Sequence, residues 1–213
     1  IYINPADQTS NLELFATLSH EGFPGHLYQT IYFLKTSPAD IRTLITSSGY
    51  VEGWATYVES YGYQYAACDL DDPAATDYTR LFALNRRINL CLYSLLDIGI
   101  HYYGWDETQA ARLLQFFGIT DAHVVSEIFQ YIVETPANYQ KYCWGCLNFL
   151  DLKKEWKDTL GDDFNLKVFH QNLLEIGPVQ FPVLQKYMNE RLQKQHKEVP
   201  VRTSHLMTVC NIY

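Results

Sequence analysis

Residues 81–104 read LFALNRRINLCLYSLLDIGIHYYG, and Leu81, Leu84, Ile88, Leu92 and Leu95 recur every three or four positions. That spacing lines one side of an α-helix; a strand, whose alternate residues point to opposite faces, has no use for it. The pattern predicts a helix over about 74–103, stopped at Gly104. Beyond it, Asp106 and Gln109 form a capping box for a helix ending at Gly118, and Thr120 begins another that runs to Pro136. Further helices are predicted over about 137–160 with a stop at Gly161, over 165–176 ended by Gly177-Pro178, and over about 180–195. The polar tail at 200–213 is expected to be flexible.

On the other side, Asp71-Asp72-Pro73 punctuates, and residues 38–47 and 50–68 have helical spacing. An apolar run from Leu27 to Leu34 precedes Pro38, and Ser10 or Asn11 caps a first helix carrying Leu12, Leu14, Phe15 and Leu18. Only Ile1–Asn4, closed by Pro5, looks strand-like. With no repeat and no boundary, the expectation is one all-α domain over residues 1–213.

Composition agrees. The chain of 213 residues suits one core that buries about 70% of its unfolded surface. Seventeen Tyr, 11 Phe and 4 Trp against 2 Met point to a core of large rings. The net charge of −8, without clustered Lys or Arg, excludes a nucleic-acid surface, and no apolar stretch is long enough for a transmembrane span. The chain opens Ile1-Tyr2-Ile3-Asn4 with no start Met or targeting segment, so it is expected to be the C-terminal part of a longer protein. Five cysteines, at 68, 91, 143, 146 and 210, lack a disulfide-framework spacing, so reduced thiols are the expectation, and the lone CxxC of Cys143–Cys146 is expected to be a plain core or near-core pair.

Chemistry concentrates in His20-Glu21-Gly22-Phe23-Pro24-Gly25-His26. In zinc peptidases two His four apart on one helix face bind the metal, and the Glu beside the first acts on the activated water. Here the second His is six residues on, which on a regular helix sets the rings about 120° apart. Pro24 and Gly25 are the residues best able to break that helix and swing His26 back toward His20. A third ligand would come from Glu52-Gly-Trp-Ala-Thr-Tyr-Val-Glu59, where two acids seven apart share a face of an otherwise apolar, aromatic segment. Burying a carboxylate costs several kcal/mol unless a cation pairs with it, so one acid can be a ligand while the other supports it from behind. His101 ends the long helix, where the dipole favours a His with or without a function. His123 reads as solvated, His170 as a core histidine on an amphipathic segment, and Tyr142 has no claim of its own. No Gly-rich phosphate loop, nucleophile elbow or dinucleotide fingerprint is present.

With these residues in view, the chain resembles the C-terminal part of the bacterial family called domain of unknown function 885, many of whose members are described as lipoproteins. The matching segments are His20 to Gln29, Glu52 to Glu59, Asp97-Ile-Gly-Ile-His101 with Trp105, Pro136 through Tyr142 to Gly145, and Leu160-Gly161 through Phe164 to Phe169-His170 and Gly177. The family is similar to the HExxH zinc metallopeptidases of the thermolysin-like superclan, with the motif widened to HExxPGH. The resemblance implies an all-helical, zincin-like metallopeptidase body, incomplete at its N-terminus in this chain. It implies zinc (Zn2+) on His20, His26 and Glu52, Glu21 as general base, and His101, Tyr142 and His170 around the substrate. Two departures bear on the substrate: Tyr93 stands where the family commonly has Arg, and Pro136-Ala137-Asn138 and Cys143 replace Pro-Gly-Gln and a Lys after the Tyr.

The expected function is a zinc-dependent peptidase that hydrolyses peptide bonds with a metal-activated water, Glu21 as general base, Tyr142 or His101 at the oxyanion and Glu59 behind a ligand. Short peptides are the expected substrates. The alternatives are a non-catalytic helical module that binds metal or peptide, and a zinc amidase for other amide bonds. The resemblance implies a cell-envelope or secreted lipoprotein, while the unpaired cysteines also fit the cytoplasm; no oligomeric state follows.

Overall fold

The structure, a computed structural model, describes residues 1, 3, 10–68 and 74–198. These residues form ten α-helices and one 3-10 turn, and no strand occurs among them. In order the helices are α1 (Asn11–Glu21), α2 (His26–Lys35), α3 (Asp40–Leu44), α4 (Ser48–Cys68), α5 (Ala75–His101), α6 (Glu107–Phe116), α7 (Ala122–Glu134), α8 (Gln140–Leu160), α9 (Leu166–Ile176) and α10 (Phe181–Glu198). The all-α class read from the spacing is therefore the class observed. Ile1 and Ile3 carry no regular structure; Asn4, Pro5, Asp71-Asp72-Pro73 and the tail at 200–213 lie outside the described residues.

Local chemistry explains most boundaries. Ser10 caps α1 in a full capping box with Glu13, and Asp106 caps α6 in the same way with Gln109. Other limits differ from the periodic reading. α3 is five residues rather than ten because it buries nothing that would reward extension. α7 is capped by Asp121, not Thr120, since the Asp121 carboxylate accepts from the amides of His123 and Val124 at 2.9 and 3.0 Å. α8 starts at Gln140 because Ala137 adopts φ +61°, and its amide donates to Asp97 Oδ1 at 3.1 Å.

The most extensive packing is α4 against α8, and α1 and α5 also lie on α4. α4 contributes Tyr50, Trp54 and Tyr57 to a core shared with Phe149 and Trp156 of α8 and Phe169 of α9, all essentially inaccessible. Tyr50 can be buried because its hydroxyl donates to the Leu173 carbonyl at 2.7 Å. The two long helices touch through glycines: a Cβ on Gly53 would lie 2.6 Å from Gly145 Cα, so neither position tolerates a side chain at this separation. A second, smaller core joins Leu92 and Leu96 of α5 to Leu114 of α6 and Val125 and Ile132 of α7. α4 is thus held on three sides, which makes it a rigid platform for the acids it carries.

Candidate functional site

The site begins where α1 stops. Gly22 closes that helix with its amide on the Leu18 carbonyl at 2.8 Å, and the chain then turns through Phe23-Pro24-Gly25 before α2 starts at His26. The Gly25 amide returns to the Ser19 carbonyl at 3.0 Å, and a Cβ on Gly25 would lie 1.7 Å from the His20 carbonyl oxygen, so only glycine fits. Trp54 Nε1 donates to the Pro24 carbonyl at 3.0 Å and pins the turn to α4. The break at Pro24 thus occurs as its chemistry demands, and it brings the His20 and His26 rings to 4.8 Å between centroids, nearly perpendicular.

Both rings turn Nε2 toward one oxygen of Glu52 on α4. The separations are 3.6 Å from His20 and 3.2 Å from His26, the first an ion-pair distance rather than a hydrogen bond. The three ligand atoms lie within 4.8 Å of one another. Ligands about 2.1 Å from a tetrahedral metal ion are about 3.4 Å apart, close to the two separations from Glu52, so these two imidazoles and the carboxylate could hold a metal ion. Behind His20, Nδ1 meets Glu59 Oε2 at 3.1 Å, the second contact that orients a ligating imidazole. Glu59 is 5% exposed, and its other oxygen accepts from Tyr63 Oη at 3.5 Å and Arg86 Nε at 3.3 Å. His26 Nδ1, by contrast, is buried without a partner among the described residues.

The field at the site is negative and wants a cation. Burial works against a charge on His20, but the Glu52 and Glu59 carboxylates, with Glu21 nearby, outweigh it and push the imidazole up to about 9. Burial likewise opposes ionisation of Glu52, yet His20, His26 and Lys141 hold its carboxyl well below the usual range. Lys141 Nζ, 3.6 Å from Glu52 Oε1, also lies over the Tyr142 ring at 5.0 Å. Burial and the Glu52 charge raise the Tyr142 hydroxyl, whose ring is 6.3 Å from that of His20.

A cleft of about 670 Å³ opens beside this set, lined among others by His20, Glu21, Glu59, Arg86, Asn138 and Tyr142. Of the expected residues, the structure therefore gathers His20, His26, Glu52 and Glu59, with Glu21 and Tyr142 on the cleft wall. It does not bring His101 there: His101 Nε2 is 2.8 Å from the Ile132 carbonyl and 3.7 Å from Asp97, where it joins α5 to α7. His170 faces a separate aromatic cavity of about 600 Å³ beside Phe23, Pro24 and Trp54. Its Nε2 is 2.8 Å from Tyr57 Oη, and burial, then Lys153, pushes its imidazole down to about 4. Tyr93 stacks on Tyr139 of the cleft wall at 4.7 Å. Sequence reasoning missed Lys141, although it adjoins Tyr142, missed Tyr63, which is one helical turn beyond Glu59, and gave Arg86 no role.

The sequence model of the family described as bacterial protein of unknown function (DUF885) matches residues 1–188. A solved structure described as "the putative lipoprotein from Colwellia psychrerythraea" is 28% identical, with a TM-score of 0.71, over 90% of this chain and 32% of that one. Another, described as "a putative lipoprotein of unknown function from Shewanella oneidensis", is 24% identical with a TM-score of 0.67 over 90% and 35%, a likeness of fold alone. The chain thus spans about a third of the length of these structures. No curated protein matches it. Among the described residues no helix is long and apolar enough to cross a membrane.

Proposed function

Because the chain belongs to the DUF885 family, whose description assigns no activity, we propose from its own side chains that it is the metal-holding part of a zinc-dependent peptidase with a zincin-like helical body. The observation that carries this reading is the convergence of His20 Nε2, His26 Nε2 and Glu52 Oε2, backed by Glu59 on the far nitrogen of His20. Bound zinc would polarise a scissile carbonyl and bring the pKa of water toward about 7.

The chain's own groups do the rest. The Glu59 carboxylate accepts a hydrogen bond from Nδ1–H of His20, which fixes the tautomer whose Nε2 lone pair is free to ligate, and Arg86 and Tyr63 keep Glu59 in place. Glu21, next to His20 and on the cleft wall, removes a proton from the attacking water and returns it to the leaving amine. The Tyr142 hydroxyl, kept protonated, donates to the carbonyl oxygen as charge develops on it. The amides of Asn85, Asn89 and Asn138 line the same cleft and can pair with a peptide main chain, and the cleft's volume suits a short peptide. The lipoprotein description of the similar structures supports a place in the cell envelope.

A second reading, a helical module that binds peptide without catalysis, is favoured by Lys141, whose ammonium pairs with the Glu52 carboxylate and so competes with a metal for it. Zinc analysis of the purified protein, with hydrolysis of a peptide panel, decides between them. The expected result is one zinc per chain and a loss of about 10²–10⁴-fold in hydrolysis for Glu21→Gln with zinc retained. Absence of zinc, or unchanged hydrolysis in Glu21→Gln, overturns the peptidase. Cleavage confined to non-peptide amides would identify the amidase instead.

A further inference from the structure

Cys91 on α5 and Cys143 on α8 are 52 positions apart in the chain, yet their Sγ atoms are 3.7 Å apart. Cys91 is exposed and Cys143 partly so, which leaves the pair open to small reagents. A disulfide needs about 2.05 Å between the sulfurs, a closure of under 2 Å that side-chain rotation can provide. Cys146 is half-buried, as Cys143 is, and burial pushes its thiol up to about 12, which leaves little thiolate for exchange.

We propose that Cys91 and Cys143 form a reversible disulfide that ties α5 to α8 at the edge of the cleft. Both cysteines adjoin cleft-lining residues: Cys91 follows Leu90, and Cys143 follows Tyr142. The bond therefore fixes the Tyr142 turn against the helix that carries Asn85, Arg86 and Asn89. It does so whatever reaction the cleft carries out. The oxidant is a low-molecular-weight disulfide. The Cys91 thiolate attacks one of its sulfurs, a bond forms between them, and the other half leaves as a thiolate. Cys143 gives its proton to solvent and attacks the Cys91 sulfur of the mixed disulfide, which expels the second small thiolate. Two protein thiols are oxidised, and one small disulfide is reduced to two thiols.

The unpaired-thiol expectation then depends on compartment rather than on spacing: a reducing one keeps the dithiol and an oxidising one closes it. The test uses the protein carrying Cys68→Ser and Cys210→Ser, incubated with oxidised glutathione and mapped by non-reducing peptide mass spectrometry. The expected product lacks two hydrogens, links the Cys91 and Cys143 peptides, and melts higher by on the order of 10 °C, since the bond closes a long loop in the unfolded chain. Reductant reverses both changes. Adding Cys146→Ser leaves the link intact, while Cys91→Ser or Cys143→Ser abolishes it. A stable glutathione adduct on Cys91 without a link, a Cys143–Cys146 link, or a link without a change in Tm overturns the proposal.

Discussion

Gly145→Ala tests the packing that positions the site. At a solvent-exposed helix position this change stabilises by about 1 kcal/mol, because alanine loses less conformational freedom than glycine. Position 145 reverses the sign. The added methyl would lie 2.2 Å from the Gly49 carbonyl oxygen and 2.7 Å from Gly53 Cα, where ordinary contact is about 3.5 Å. Both obstacles are backbone of α4, so no rotamer change relieves them and the helices must part by roughly 1 Å. Overpacking of this kind costs about 3 kcal/mol, the upper part of its usual range, and the propensity gain leaves a net loss of about 2 kcal/mol. For a chain of this size the Tm should fall by about 4–8 °C, read by circular dichroism. Because Glu52 adjoins Gly53, and Lys141 and Tyr142 lie one turn before Gly145, zinc affinity should fall with it. A Tm equal to or above that of the parent would refute the reasoning, since the helix-propensity term would then have won.

Three further outcomes are expected. The His170 imidazole is pushed down to about 4 from an ordinary value of 6.5, so below pH 6.5 the unfolded chain takes up a proton that the folded chain refuses. Stability is unaffected above pH 6.5 and falls by up to about 3 kcal/mol as the pH drops to 4, and denaturation series should show a shallower fall for His170→Gln. Glu59→Gln should weaken zinc binding about 10–100-fold in competition with a chromophoric chelator; an affinity within twofold of the parent would mean that His20 does not depend on Glu59 for its orientation. Tyr50→Phe removes the donor to the Leu173 carbonyl, which still accepts from the Gly177 amide at 2.9 Å, so urea unfolding should show a loss of only about 1 kcal/mol.

Much of this protein could be read from its sequence because the deciding interactions are local. Leu81 through Leu95 repeat at the helical period, Ser10 and Asp106 cap their own first turns, and Gly161 and Gly177 stop helices at positive φ. Each involves residues within four positions of one another. The break between His20 and His26 was readable for the same reason, since Pro24 and Gly25 disrupt a helix from within it. Local reading failed where packing decides: α3 stays short because it buries none of its residues, and α8 starts late because Asp97, 40 residues earlier, holds the Ala137 amide.

By itself the sequence determined the helical class, the acidic residues that cannot be buried without a cation, and the two histidines brought together by a proline–glycine break. Only the tertiary structure decided which of the remaining polar groups meet. It put Lys141 on Glu52 and Arg86 on Glu59, committed His101 to the Ile132 carbonyl, sent His170 to the aromatic cavity, and set Cys91 against Cys143. The reason is physical: the periodicity of a helix says which residues share a face, but which two faces meet depends on how separate helices close-pack, here on two glycines that let α4 and α8 touch.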